Sequence, residues 1–218
     1  MQAIRIHPRA VVAGADRENA WSTYRAAFEP LRSVAMQRHV LTREEFDDLA
    51  GDVRVIKYLA VDTAGDVVGV GTMTNQIASM PLIEPGFFAH RWPEHWAAGR
   101  CYYIGFVASH PDRQGSALFA ELIQLMSYTA SLTGGVAVLD VCQHHVQRHA
   151  LPQSIGRITS TVVPQVQVEQ VDAQTYWAYE SPVPAVAPAA VIELRDGAVT
   201  LPASAYTVAA AAKATGRP

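Results

Sequence analysis

Residues 101–142 constrain the fold more than any other stretch of this chain, reading CYYIGFVASHPDRQG, then SALFAELIQLMSYTASLTGG, then VAVLDVC. An apolar strand runs into a short turn, the turn opens a long amphipathic helix, and a second apolar strand follows Gly134-Gly135. A strand feeding a glycine-containing turn at a helix start gathers unpaired N–H groups and the positive end of the helix dipole at one point. That point holds an anion such as a phosphate. Residues 101–109 are apolar on both faces, as a covered central strand requires. On the helix, Glu121, Gln124, Tyr128 and Ser131 form a polar stripe, and Leu118, Phe119, Leu122, Ile123, Leu125 and Met126 form a wide buried face.

At 218 residues, half of them hydrophobic, the chain suits one domain of ordinary size with a tail. Its net charge is −3, and Lys57 and Lys213 are its only lysines. With the arginines scattered, a basic face for nucleic acid is not expected. The start MQAIRIHPRAVVAGAD is broken by Pro8 and carries Arg5, His7 and Arg9, so it does not read as a signal peptide. No uncharged apolar run approaches the ~20 residues of a membrane span. The two cysteines, Cys101 and Cys142, sit on expected core strands and read as buried thiols in a reducing, cytoplasmic setting.

The remaining elements follow from periodicity and punctuation. Residues 2–12 read as a strand or arm. Asp16 caps an expected helix from Arg17 to Phe28, with Trp21, Tyr24 and Phe28 on one face and Pro30 as its stop. A helical stretch over 31–39 leads to Thr42-Arg43-Glu44-Glu45, a capping box opening a short helix that ends near Gly51. Strands over 53–62 and 67–76, joined at Ala64-Gly65-Asp66, form an antiparallel hairpin. The insert 77–100, with three prolines and Phe87, Phe88, Trp92 and Trp96, either covers a site or fills a satellite core. A helix over about 144–155, interrupted by Pro152, precedes two strands within 157–180. Beyond Ser181 the chain is Pro- and Ala-rich, which divides it into a domain over 1–181 and an extension over 182–218.

This order of elements, with the residues of 101–156, resembles the GCN5-related N-acetyltransferase (GNAT) superfamily over about residues 15–180. The resemblance implies an α/β (α+β) fold: a mixed, mostly antiparallel sheet of about six to seven strands with helices on both sides and splayed central strands. It also implies a thioester carrier lying along the central strand. Phe106, Val107 and Ala108 would follow the pantetheine arm, and Arg113, Gln114, Gly115, Ser116 and Ala117 would surround the pyrophosphate of coenzyme A. Within the superfamily the chain looks most like the bacterial N-acyl amino acid synthases and their acyl-homoserine-lactone synthase relatives. The insert closing in Ala98-Gly99-Arg100, the Cys142-Gln-His-His145 segment and the Phe-rich stretch carry that finer likeness. The turn has one glycine where the family commonly has two, which favours a carrier with a single phosphate over a diphosphate. The family's acidic central-strand position falls near Tyr103, and its usual acidic tyrosine is replaced around Leu151-Pro152.

Acyl transfer needs a held amine, a route for its proton and a donor to the developing oxyanion. The N–H of Val107 is the expected oxyanion donor. His144, His145 and His149 form the titratable cluster, and His145 and His149 share a helix face. One of them serves as acid or base, or they cover the sheet end; a metal role lacks an obvious third ligand, so none is expected. Tyr102 and Tyr103 point to opposite faces of the strand, and Tyr103 is the candidate donor facing the cleft. Phe87, Phe88, Trp92 and Glu84 either line an acyl or amine pocket or pack on the hairpin. His110 and Arg113 are candidate anion contacts.

The sequence thus reads as an acyltransferase taking an acyl group from acetyl-CoA, another acyl-CoA or an acyl-phosphopantetheine carrier protein to a small-molecule amine. The expected setting is biosynthetic, with no membrane span, no nucleic acid and a homodimer as a possible assembly. Two other readings stay open: a diverged enzyme of the same fold with a different reaction, and a non-catalytic binding or assembly module.

Overall fold

The computed structural model describes residues 4–35, 40–113 and 117–179, with the backbone of residues 193–195 and 198–200. The chain forms two compact units, Met1–Asp172 and Ala173–Pro218. The composition change at Ser181 falls inside the second unit.

The first unit is built on a five-stranded sheet in the order β1-β2-β3-β4-β5. Strands β1 (Arg5–Arg9), β2 (Ile56–Val61), β3 (Val67–Thr74) and β4 (Cys101–Ser109) pair antiparallel in sequence, and β5 (Val136–Leu139) joins β4 in parallel. The β2–β3 hairpin turns at Gly65, whose φ of +90° only glycine adopts without strain. Asp62 closes that turn, accepting the N–H of Ala64 through its side chain and donating its own N–H to the Asp66 carbonyl. The parallel β4–β5 step follows from the helix α5 (Leu118–Ser131) between them, because a parallel neighbour needs a long crossover.

Two layers cover the sheet. On one face lie α1 (Gly14–Phe28) and α2 (Arg43–Gly51), with Ala20, Tyr24, Phe46 and Ala50 buried against Leu59, Val70 and Ala108. On the other, α5 buries Leu118, Leu122 and Met126 against Tyr58, Ala60, Tyr102 and Ile104. Helix α2 starts at the expected capping box: Thr42 accepts the Glu45 N–H, and Glu45 accepts the Thr42 N–H at 2.7 Å. Helix α1 starts earlier than expected, with Ala13 at the cap, Gly14 at φ +58° and Asp16 inside the first turn. Glu29–Ser33 is a short 3₁₀ turn, and residues 36–39 of the expected 31–39 helix lie outside the described residues.

Lys57 ties the base of this layer together. Its buried ammonium donates to the carbonyls of Ala10, Asp52 and Val55 at 2.6, 2.7 and 2.9 Å. Burial pulls its pKa down to about 8 against the opposing charge of Asp52, which leaves it protonated at neutral pH.

Beyond β5 the structure corrects the expectation. Residues 143–160 form two helices, α6 (Gln143–His149) and α7 (Leu151–Ser160), broken at Ala150 with φ +46°. Pro152 opens α7 rather than interrupting one helix, since its missing N–H costs nothing in a first turn. Residues 161–179 contain no strand, and among the described residues the sheet has five strands, so the expected six to seven are not confirmed. The β-branched residues of 157–168 suggested strands, but Ile158 and Thr159 lie on α7 and Pro164 breaks the rest. In the second unit, Glu193–Arg195 (β6) and Ala198–Thr200 (β7) form a two-stranded antiparallel pair. No helix of the described residues is long and apolar enough to cross a membrane.

Candidate active site

Strand β5 pairs with Cys101–Ile104, so among the described residues the C-terminal half of β4 has a strand neighbour on the β3 side alone. A one-residue bulge sets which peptide groups face the open side. Thr72 pairs with Phe106 and Met73 with Ile104, leaving Gly105 as the extra residue. The His110 N–H donates to the Val68 carbonyl, so by antiparallel alternation Ala108 and Phe106 also point their peptide groups at β3. Val107 and Ser109 therefore turn theirs the other way, toward the gap that β5 leaves. Glycine is required at the bulge: a Cβ on Gly105 would lie 2.8 Å from both the Met80 Cε and the Thr72 Oγ1.

A groove of about 580 Å³ runs along this edge and passes between the two layers. The bulge sorts the side chains of β4. Tyr102, Ile104 and Val107 face α5, whereas Tyr103, Phe106 and Ala108 face the α1 side. On the α5 side the groove is apolar, lined by Phe119, Ile123, Leu139, Leu151 and Ile155. On the α1 side Tyr24, Phe28 and Phe106 make an aromatic wall, with centroids 4.7 Å apart for Tyr24–Phe106 and 4.9 Å for Tyr24–Phe28. The Tyr24 hydroxyl accepts the Leu41 N–H at 2.8 Å, which fixes the ring.

Asp140, the residue after β5, lines the groove where the two strands part. The buried Tyr103 hydroxyl donates to its Oδ1 at 2.5 Å. Burial raises the Tyr103 pKa, and the neighbouring Asp140 charge raises it further, so the phenol keeps its proton. The sequence reading passed over Asp140 as part of a buried strand. A carboxylate inside VAVLDVC was the available signal, because an acid in an apolar run needs a partner or a function.

The candidate site residues are distributed unevenly. Phe106, Val107, Ala108 and His145 all border the groove. His144, His145 and His149 cluster on α6 with ring centroids 5.6–6.1 Å apart, but His144 and His149 are not among the groove's lining residues. Among the described residues no group of three or more His, Cys, Asp or Glu is arranged to hold a metal. Tyr103 reaches the groove only through Asp140, and Tyr102 bonds with Thr133 at 3.0 Å.

Of the anion turn, Gln114, Gly115 and Ser116 lie outside the described residues. Ala117 is the N-cap of α5, which no side-chain hydrogen bond caps. Arg113 is ion-paired with the buried Asp62 of the hairpin turn at 2.8 Å. His110 accepts the Asp112 N–H at 3.3 Å.

The insert forms α3 (Pro85–Arg91) and α4 (Pro93–Ala97). Phe88 is buried with Ile77, Cys101 and Tyr103 in a satellite core, with Trp92 packed against it. Glu84 caps α3 by accepting the Gly86 N–H at 2.8 Å, and Phe87 packs edge-on against Phe88 and Trp92. The insert meets the groove through Ser79, Met80 and Pro81, not through its aromatic residues.

No protein-family model matches the chain, and no curated protein matches it by sequence. Solved structures do resemble it. An aminoglycoside acetyltransferase from an uncultured soil metagenomic sample is 15% identical, with 81% of this chain and 97% of that one covered at a TM-score of 0.48. The aminoglycoside 6'-N-acetyltransferase AAC(6')-Ih of Acinetobacter baumannii is 11% identical over 82% and 99%, with a TM-score of 0.43. A ribosomal-protein-alanine N-acetyltransferase from Brucella melitensis biovar Abortus 2308 is 15% identical over 82% and 100%, with a TM-score of 0.39. All three scores fall below 0.5.

Proposed function

We propose that this protein is an N-acyltransferase that moves an acyl group from a coenzyme A thioester to the amine of a small molecule. The observation that carries this reading is the open edge of β4. Val107 and Ser109 turn peptide N–H and C=O groups toward a groove of about 580 Å³, where an extended amide-bearing arm could pair with them. A pantetheine is such an arm, and it can add to that edge as a strand would. The start of α5, where Ala117 offers no side-chain cap, lies beyond the same strand end and is proposed to take the anionic end of the carrier. A carrier-protein phosphopantetheine offers the same arm with one phosphate. The residues of the turn, 113–117, are proposed to hold that phosphate, with Arg113 serving mainly to brace the turn through Asp62.

In the proposed reaction the amine nitrogen attacks the thioester carbonyl. A C–N bond forms, the oxyanion meets the Val107 N–H, and the C–S bond then breaks. Asp140 holds the entering ammonium, and His145 accepts the proton that the nitrogen must lose. The nitrogen loses two protons in all: the one taken from the ammonium before attack passes through His145 to solvent, and the one lost from the tetrahedral adduct goes to the departing thiolate, so the products are amide, thiol and one released proton. Tyr103 acts through Asp140 as a positioning residue.

The test is thermal unfolding with acetyl-CoA, alongside thiol release with amine acceptors. A ligand at 100 times its Kd stabilises the native state by about 2.7 kcal/mol, which for a chain of this size raises Tm by roughly 5–10 °C. Absence of any shift with acetyl-CoA, longer acyl-CoA and acylated carrier protein would overturn the assignment.

A further inference from the structure

From the walls of the groove, and resting on the acyltransferase reading, we infer that the acceptor is an amine with an apolar, aromatic or branched aliphatic body and no carboxylate. The α1 side of the gap is the free side for an acceptor when the carrier follows the β4 edge. Its wall there is the Tyr24, Phe28 and Phe106 ring cluster, extended by Leu31, Leu41 and Met80. Asp140 belongs to this half of the groove, because Tyr103, which holds it, shares a face of β4 with Phe106 and Ala108.

The wall and the carboxylate select together. Rings buried against an apolar body gain contact without losing hydrogen bonds, and aromatic bodies add edge or offset stacking. A polyhydroxylated amine would place hydroxyls against carbon, and each unmet hydroxyl weakens binding. The Tyr24 hydroxyl is one polar atom on this wall, and it already accepts the Leu41 N–H.

Charge excludes the other common acceptor. Among the described residues four carboxylates line the groove, those of Glu45, Asp48, Asp52 and Asp140, against one guanidinium, that of Arg54. Arg54 is itself engaged by Asp52 at 2.6 Å, and Glu45 by its capping box. An α-amino acid would bring its carboxylate into this negative field, whereas a simple ammonium is drawn to it. The amine is therefore held at Asp140 with its body along the rings, which also points it at the carbonyl beside Val107.

Titration calorimetry on the full chain, with and without coenzyme A, tests this with 2-phenylethylamine, phenylalanine and glucosamine. Phenylethylamine is expected to bind at least about tenfold more tightly than either of the others. Asp140→Asn should lose about tenfold or more for phenylethylamine, and Phe28→Ala should weaken it while each variant keeps a cooperative unfolding transition. Phenylalanine binding as well as phenylethylamine, a preference for glucosamine, or no binding of phenylethylamine in either state would overturn the inference. Thiol release separates the two readings. Acetyl-CoA turnover that favours glucosamine sinks the acceptor class alone, and selective phenylethylamine binding with no donor response sinks the acyl transfer alone.

Discussion

A double-mutant cycle measures the hydrogen bond from Tyr103 to Asp140. The donor is 5% exposed and the acceptor lies at the groove surface. A hydrogen bond to a charged group is worth about 1.5–3 kcal/mol, and the exposed acceptor places this one at the lower end, about 1.5 kcal/mol. Tyr103→Phe removes the donor without changing the ring, so that loss converts to a Tm fall of roughly 3–6 °C. Asp140→Ala removes the acceptor but leaves the phenol buried and unpaired, which adds a desolvation cost of about 1–3 kcal/mol. The double variant has neither orphan. Its destabilisation should therefore be smaller than the sum of the singles by at least about 1 kcal/mol, because the two positions share one interaction. Urea unfolding of the four proteins at constant slope gives the coupling directly. In thiol-release kinetics Tyr103→Phe should lower kcat more than it raises KM, since it disturbs the placement of Asp140. Additive singles, or a Tyr103→Phe protein as stable and active as the parent, would refute both the bond and the positioning role.

The remaining predictions are independent of that pair. Lys57→Met should destabilise by about 3 kcal/mol or more, because it strands three carbonyls that only an ammonium satisfies; denaturant unfolding checks it. Gly105→Ala should cost about 1–3 kcal/mol and weaken acetyl-CoA binding, since the added methyl meets Met80 and Thr72 at 2.8 Å. His145→Asn should reduce turnover by about a hundredfold, whereas His149→Asn, off the groove, should leave it nearly intact. Arg54 holds the Asp52 pKa down to about 2, from 3.8 when unfolded, so the contribution of this pair is present above pH 3.8 and lost as pH falls through 2. Asp52→Asn should therefore flatten the acid limb of the stability curve in that window, and an unchanged limb would argue against the pair.

Local chemistry was legible wherever one short segment decides the outcome. Thr42 and Glu45 wrote the start of α2, Ala64-Gly65-Asp66 wrote the hairpin turn, and Cys101–Ser109 wrote β4 to the residue. The strands expected within 157–180 were misread because Val, Ile and Thr favour strands only where a partner edge exists. Here Ile158 and Thr159 are taken up by α7, and residues 161–179 run irregularly past Pro164 without pairing to a strand. The aromatic insert was left undecided for a related reason: Phe88 and Trp92 are apolar in either role, and packing against Ile77 and Cys101 is what chose the satellite core.

The site divides along the same line. The order of strand, turn, helix and strand in residues 101–142 determined by itself that β4 and β5 run parallel on either side of α5, since apolar periodicity and a crossover of that length allow little else. It could not determine where β5 lets go of β4, because strand pairing is a contest between distant segments that no local pattern records. The tertiary structure decided that β5 stops at Leu139, that Gly105 bulges, and that Val107 consequently faces open space. It also brought Tyr103 and Asp140 together across 37 positions of chain, setting an acid that the sequence reading passed over at the groove.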